Sequence, residues 1–302
     1  MRCGIARHAV SLLVLVAACG ASAQEAAAPD ALTGTLAKIR DSGQIVLGYR
    51  RDALPFSYLD RHGEPAGYAI DLCQEIAADI ATALDQADLR TVLRPVTTAD
   101  QFTRLTEGSI DLDCGATTNT VERRRIVAFS PTIFVSGARL LVDRSSAIRS
   151  FSDLAGHTVV ATAGSTTAAE LLRYIALRKL DARLVTEPDA TRSFQRLASG
   201  EADAFATNDV LLYSLIATAE GGHDFHVVGG PLTYDPYAIA YRRGDPGFAA
   251  MVDATFARLA AQGLLTTFYD RWFARRLPTG ERLDVPMSPQ LQAVFHGLGE
   301  PG

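Results

Sequence analysis

Thr117, Thr118 and Thr120, followed closely by Arg123, are the residues of this chain whose types and spacing best suit work on a ligand. They lie in "CGATTNTVER", Cys114 to Arg123. The hydroxyls donate and accept hydrogen bonds, and an arginine fork matches a carboxylate in two parallel bonds. A second cluster, "GSTT", sets Ser165, Thr166 and Thr167 at the predicted start of a helix, where free amides and the helix dipole favour an anion. A third, Asn208 and Asp209, ends a predicted strand, and a carboxylate there suits an ammonium. Places for a carboxylate and for an ammonium together describe an α-amino acid. Each cluster also has a purely local reading: threonines as strand or cap residues, Arg123 as half of a surface ion pair, Asp209 as the N-cap before "VLLYSLI".

Other chemistries lack their signatures. The second Gly and the Lys of a phosphate loop are missing after Gly115, and no GxSxG, HExxH or paired CxxC occurs. The six histidines are scattered; His223 and His226 in "GGHDFHVV" read as a solvated loop without a third metal ligand. The expectation is a binding protein, not an enzyme, with no metal and no cofactor. A net charge of -5 gives no basic face for nucleic acid, and 48% hydrophobic with 21% charged residues fits one large or two medium globular domains.

The N-terminus stands apart. Arg2 and Arg7 precede an apolar run, Ala9 to Ala18, too short to span a bilayer, and "ASA" precedes Gln24. Residues 1–23 read as a signal peptide and 24–34 as a linker, which places the mature chain in the periplasm. "VAAC", ending at Cys19, is the alternative: a lipoprotein anchored there. Of the later cysteines, Cys73 and Cys114, the simplest expectation is two small buried side chains, with a disulfide open to them in an oxidising compartment.

The elements that must position these groups alternate. Strands are predicted at "QIVLGY", "LRTVLRPV", "IDLDCG", "HTVVATAG", "ARLVTEP" and "EADAFATND"; helices at residues 35–40, "AIDLCQEIAADIATAL", "TADQFTRLTEG", "STTAAELLRYIAL" and "ATRSFQRLASG". This order predicts an α/β fold with mainly parallel sheets. One echo runs through it: "RLTEGSID" from Arg104 and "RLASGEAD" from Arg196 both place Gly four residues after the Arg and Asp three later. Two similar lobes follow, with a cleft where their strand ends face each other.

The chain resembles the extracellular solute-binding proteins of polar amino acid ABC transporters, nearest the glutamate/aspartate branch. The marks are "GYRRDALPFSYLD", "GYAIDLCQEI", "DLDCGATTNTVERRRIVAFSPTIFVSGARLL", "FSDLAGHTVVATAGSTT", "SFQRLASGEADAFATNDVLL" and "FYDRWF", across residues 32–295. The resemblance implies a type II periplasmic-binding-protein fold: lobe 1 from residues 35–136 plus 235–302, lobe 2 from 137–234, and a two-segment hinge near 134–138 and 232–237. It gives Arg123, helped by Thr118, the ligand α-carboxylate, Asp209 the α-ammonium, Arg50 a side-chain carboxylate, and Ser165, Thr166 and Thr167 the second lobe's share. It also marks departures. Ala116 stands where the acidic branch has a serine, Gln101 where it has a second arginine, and Ala190 where it has a histidine; Arg192 or Arg51 is a candidate to replace the missing arginine. The function implied is delivery of an acidic or polar amino acid by a monomer to an inner-membrane ABC permease, the alternative being a ligand sensor that signals to a partner.

Overall fold

The computed structural model describes Met1 and residues 32–301. The predicted leader, Cys19 and the Ala-rich segment through residue 31 lie outside the described residues.

Two five-stranded sheets organise the chain. The first runs Arg90–Pro95, Gln44–Tyr49, Leu112–Asp113, Ala240–Arg242, Val127–Phe129. The second runs Arg183–Glu187, Thr158–Thr162, Ala204–Asn208, Ala138–Asp143, Phe225–Val228. In each the first three strands are parallel, and the fourth is antiparallel to both of its neighbours. The sheets are therefore mixed, not mainly parallel as expected. The cause is connectivity: the reversed strands, Ala138–Asp143 and Ala240–Arg242, are those the chain enters directly from Phe134–Ser136 and Asp235–Tyr237. These two short segments pair antiparallel with each other between the sheets.

An aromatic cluster ties the connecting strands to the first sheet's side. Phe134 stacks on Phe273 at 4.8 Å, and Tyr237 meets Phe56 edge-on at 5.1 Å. Tyr68, from the start of helix Tyr68–Ala83, packs against Phe273 and donates from its hydroxyl to the Ile133 carbonyl. The second sheet has its own smaller cores, one built on Leu140, Val159 and Leu171 and another on Leu141, Phe205 and Leu212.

The echoed "RL…G…D" is one structural device used twice. Gly108 and Gly200 adopt φ of 76° and 75°, letting the chain turn out of a helix where a side chain is disfavoured. The aspartate that follows then closes onto the neighbouring parallel strand with backbone and carboxylate together. Asp111 donates its N–H to the Val46 carbonyl at 2.7 Å and accepts from the Val46 N–H at 2.9 Å. Asp203 does the same to Thr158 at 2.8 and 2.7 Å. Each device sets the start of a strand whose far end reaches the cleft.

Cys73 and Cys114 are joined in a disulfide, correcting the simpler expectation of two unlinked side chains. Cys73 lies on the buried stripe of helix Tyr68–Ala83, and Cys114 directly follows strand Leu112–Asp113. Both are fully buried, and their Cα atoms are 6.2 Å apart, within bridging range. The bond fastens that helix to the root of the threonine loop.

Candidate functional site

Strand ends from both sheets converge on a small cavity. Arg50, Asp52, Thr98, Gln101, Ala116, Thr118 and Arg123 line it from the first sheet's side; Thr162, Ser165, Thr166, Ala190, Thr207 and Asn208 line it from the second. The two sides touch. The Thr118 and Thr166 hydroxyls are 3.4 Å apart, and the Asp52 carboxylate accepts from the Ala190 N–H at 2.7 Å. Gly164, at φ 75°, comes so near the other side that a Cβ would lie 3.1 Å from the Ala99 Cα.

Arg123 begins the turn Arg123–Arg125 and points inward, while Arg124 and Arg125 are exposed. Its guanidinium donates to the Thr118 carbonyl at 2.9 Å and the Gly164 carbonyl at 3.4 Å, and lies over the Phe102 ring at 5.0 Å. These partners are neutral, and among the described residues no carboxylate forms an ion pair with it. Burial lowers its pKa, with Asp113, Asp235 and Tyr237 acting against that. Across the cavity stands the start of helix Thr166–Arg178, whose first amides lack carbonyl partners within the helix. The Ser165 side chain caps it by accepting from the Ala168 N–H at 3.1 Å. The threonine loop is braced against the hinge: Ala238 donates to the Thr117 carbonyl and Asn119 to the Pro236 carbonyl.

Residues 45–275 match the profile of the bacterial extracellular solute-binding proteins, family 3. The chain belongs to this family. The L-glutamate/L-aspartate-binding protein of Pseudomonas aeruginosa is 37% identical over 268 residues, 88% of this chain and 89% of its own. The glutamate/aspartate import solute-binding protein of Escherichia coli is 34% identical over 290 residues, 96% of each chain. The crystal structure of a mutant of ArgBP from T. maritima superposes with a TM-score of 0.71 at 25% identity, over 80% of this chain and 99% of that one. The fold is thus the type II periplasmic-binding-protein arrangement expected above.

In this family 3 protein the structure brings together seven of the nine residues singled out from sequence: Arg50, Gln101, Ala116, Thr118, Arg123, Ser165 and Thr166. It does not bring in Asp209 or Thr167. Asp209 is the first residue of helix Asp209–Thr218, and that turn swings its carboxylate aside. There it accepts from the Ser136 hydroxyl at 2.7 Å and the Val210 N–H at 2.8 Å, beside a separate hollow lined by Phe134 and Tyr269. Thr167 is buried on the inner face of its helix. Arg51 and Arg192 are both exposed and stay outside the cavity, so neither replaces the arginine absent at Gln101.

Sequence reasoning missed Asp52, Thr98, Thr162, Thr207 and the cavity role of Asn208. Asn208 ends its strand, and its Nδ2 donates to Asp235 at 2.7 Å, leaving its Oδ1 free to accept. Asp235 is buried, which raises its pKa against the hydrogen bonds from Thr233 and Asn208. Among the described residues no group of three His, Cys, Asp or Glu side chains is placed to hold a metal.

Asp113 lies fully buried beneath the cavity floor, near Arg50 and Arg123. Burial pushes its carboxyl from 3.8 up to about 6, against the Thr117 hydrogen bond at 2.6 Å and the two arginines. An acid whose folded value is raised holds its proton more tightly when folded. Stability from this group is therefore greatest below pH 4, falls as pH rises to about 6, and is constant above that. The gap corresponds to at most about 3 kcal/mol. We expect Asp113→Asn to raise the unfolding free energy at pH 8 by about 2–3 kcal/mol and to flatten the decline between pH 4 and 6. Urea unfolding at a series of pH values measures both.

Proposed function

We propose that this chain binds an α-amino acid between its lobes in the periplasm and hands it to an inner-membrane ABC permease. The observation that carries the reading is Arg123: a guanidinium without an acid partner, facing a cavity whose opposite wall is a helix N-terminus. A ligand α-carboxylate fits between them, with the Thr118 and Thr166 hydroxyls alongside. The α-ammonium falls to the Asn208 Oδ1, polarised through its amide by the buried Asp235. The side chain then extends toward the Arg50–Asp52 pair and Gln101, which suits a polar one. The glutamate/aspartate names of the relatives agree with this class.

Closure follows from the same geometry. The lobe of residues 35–136 and 235–302 supplies Arg123, and that of 137–234 supplies the helix N-terminus and Asn208. A ligand held by both favours the closed arrangement by its differential affinity for it. The protein acts as a monomer, released by removal of residues 1–23.

Calorimetric titration of ligand-stripped protein with the twenty amino acids tests this reading. We expect at least one polar amino acid to bind with a dissociation constant of about 1 μM or below. A panel with no binding amino acid sinks it.

A further inference from the structure

The Arg50 guanidinium is already occupied by the chain itself. Asp52 accepts from Arg50 Nε at 3.0 Å and from Nη2 at 2.7 and 2.9 Å. Both side chains are about nine-tenths buried. On its other side the same carboxylate accepts the Ala190 N–H at 2.7 Å, at the first turn of helix Ala190–Ala198. An arginine from one lobe and a helix N-terminus from the other are the partners a ligand side-chain carboxylate would need. Asp52 holds both.

Two further observations point the same way. Gln101 lines the cavity at 1% exposure, and its Oε1 has no hydrogen-bond donor. Gln101 is a neutral amide and adds no charge to pair with a ligand carboxylate. Ala116 and Ala190 add no side-chain donor to the wall. With Arg50 neutralised by Asp52, the one lining cation without an acid partner among the described residues is Arg123, and that is needed for the α-carboxylate.

We propose that Asp52 is the specificity-determining residue of this site. Its carboxylate stands in for a ligand side-chain carboxylate, so the cavity selects amino acids with a neutral, donor-bearing side chain, amide or hydroxyl, over glutamate and aspartate. This rests on the amino-acid reading above. A second carboxylate entering the cavity must either displace Asp52 from Arg50 or sit against it, and like charges at that distance repel in a low-dielectric site. Removing Asp52 frees a guanidinium and a helix N-terminus that both point at the vacated space.

The test is calorimetric titration of ligand-stripped wild type and Asp52→Ala with glutamine, asparagine, serine, threonine, glutamate and aspartate. The readout is the ratio of affinities, neutral to acidic, which a general loss of affinity leaves untouched. We expect wild type to favour its best neutral ligand over both acidic ones by at least tenfold. Asp52→Ala should move that ratio at least tenfold toward the acidic ligands. Asp52→Asn removes the charge while keeping the shape; it carries the test if thermal melting shows that the alanine variant does not fold. Wild type that prefers glutamate or aspartate, or a ratio that moves less than tenfold in the folded variant, overturns the assignment and leaves amino-acid binding standing. Wild type that binds none of the twenty amino acids overturns both.

Discussion

Arg123→Ala is expected to weaken amino-acid binding by about 10²- to 10³-fold while leaving the fold intact. The fork of Arg123 gives two charge-assisted bonds to a carboxylate in a site shielded from water, and each is worth about 1.5–3 kcal/mol. Truncating one side of a buried, hydrogen-bonded charge pair costs about 2–5 kcal/mol, because the other charge then lies buried without its partner. Here the helix N-terminus at Thr166 still faces the ligand carboxylate, so some compensation remains and the loss falls in the middle of that range. Stability should change by no more than about 1 kcal/mol, since Arg123 otherwise bonds two carbonyls and covers Phe102. Arg123→Lys keeps the charge without the planar fork and should lie between the two proteins. Calorimetry with the best ligand, paired with thermal melting, separates the effects. A variant that folds and binds within threefold of wild type would refute the clamp.

What was legible in the sequence was what depends on neighbours along the chain. Strand Gln44–Tyr49 coincides with "QIVLGY", and the helix at Tyr68–Ala83 follows its apolar stripe to within a residue. The repeated Arg-Leu…Gly…Asp was readable because it is a local device, a helix exit followed by one carboxylate cap on the next strand. Illegible were the groups whose meaning comes from across the cleft. Asp52 sits two residues from Arg50 across a bend at Arg51, close enough in sequence that their pairing left a trace. Its third partner, the Ala190 N–H, left none. Asp209 failed for a different reason. The strand ends at Asn208 and the helix begins one residue later, and that single step decides which side chain enters the cavity. Propensity does not place an element boundary that finely.

Loss of the Cys73–Cys114 bond should cost far more stability than Arg123→Ala, and it should also reach the ligand. The two residues are 41 apart in sequence, and closing a loop of that size in the unfolded chain corresponds to about 4 kcal/mol in the chain-entropy account. For a chain of this length that lowers the melting temperature by roughly 6–7 °C. The closed segment contains strand Arg90–Pro95, helix Gln101–Thr106 and the cavity residues Thr98 and Gln101, and it ends at the root of the loop bearing Ala116 and Thr118. Without the bond, that loop keeps its hinge contacts through Thr117 and Asn119 but loses its tie to helix Tyr68–Ala83. A looser wall must be ordered when ligand arrives, and ordering costs affinity. The double variant Cys73→Ala, Cys114→Ala should therefore melt about 6–7 °C lower and bind its amino acid several-fold more weakly, with the change mainly in the dissociation rate. Scanning calorimetry with and without ligand, and stopped-flow fluorescence for the rates, measure the two effects. A melting temperature within about 2 °C of wild type would show that the bond constrains nothing the folded packing does not already hold.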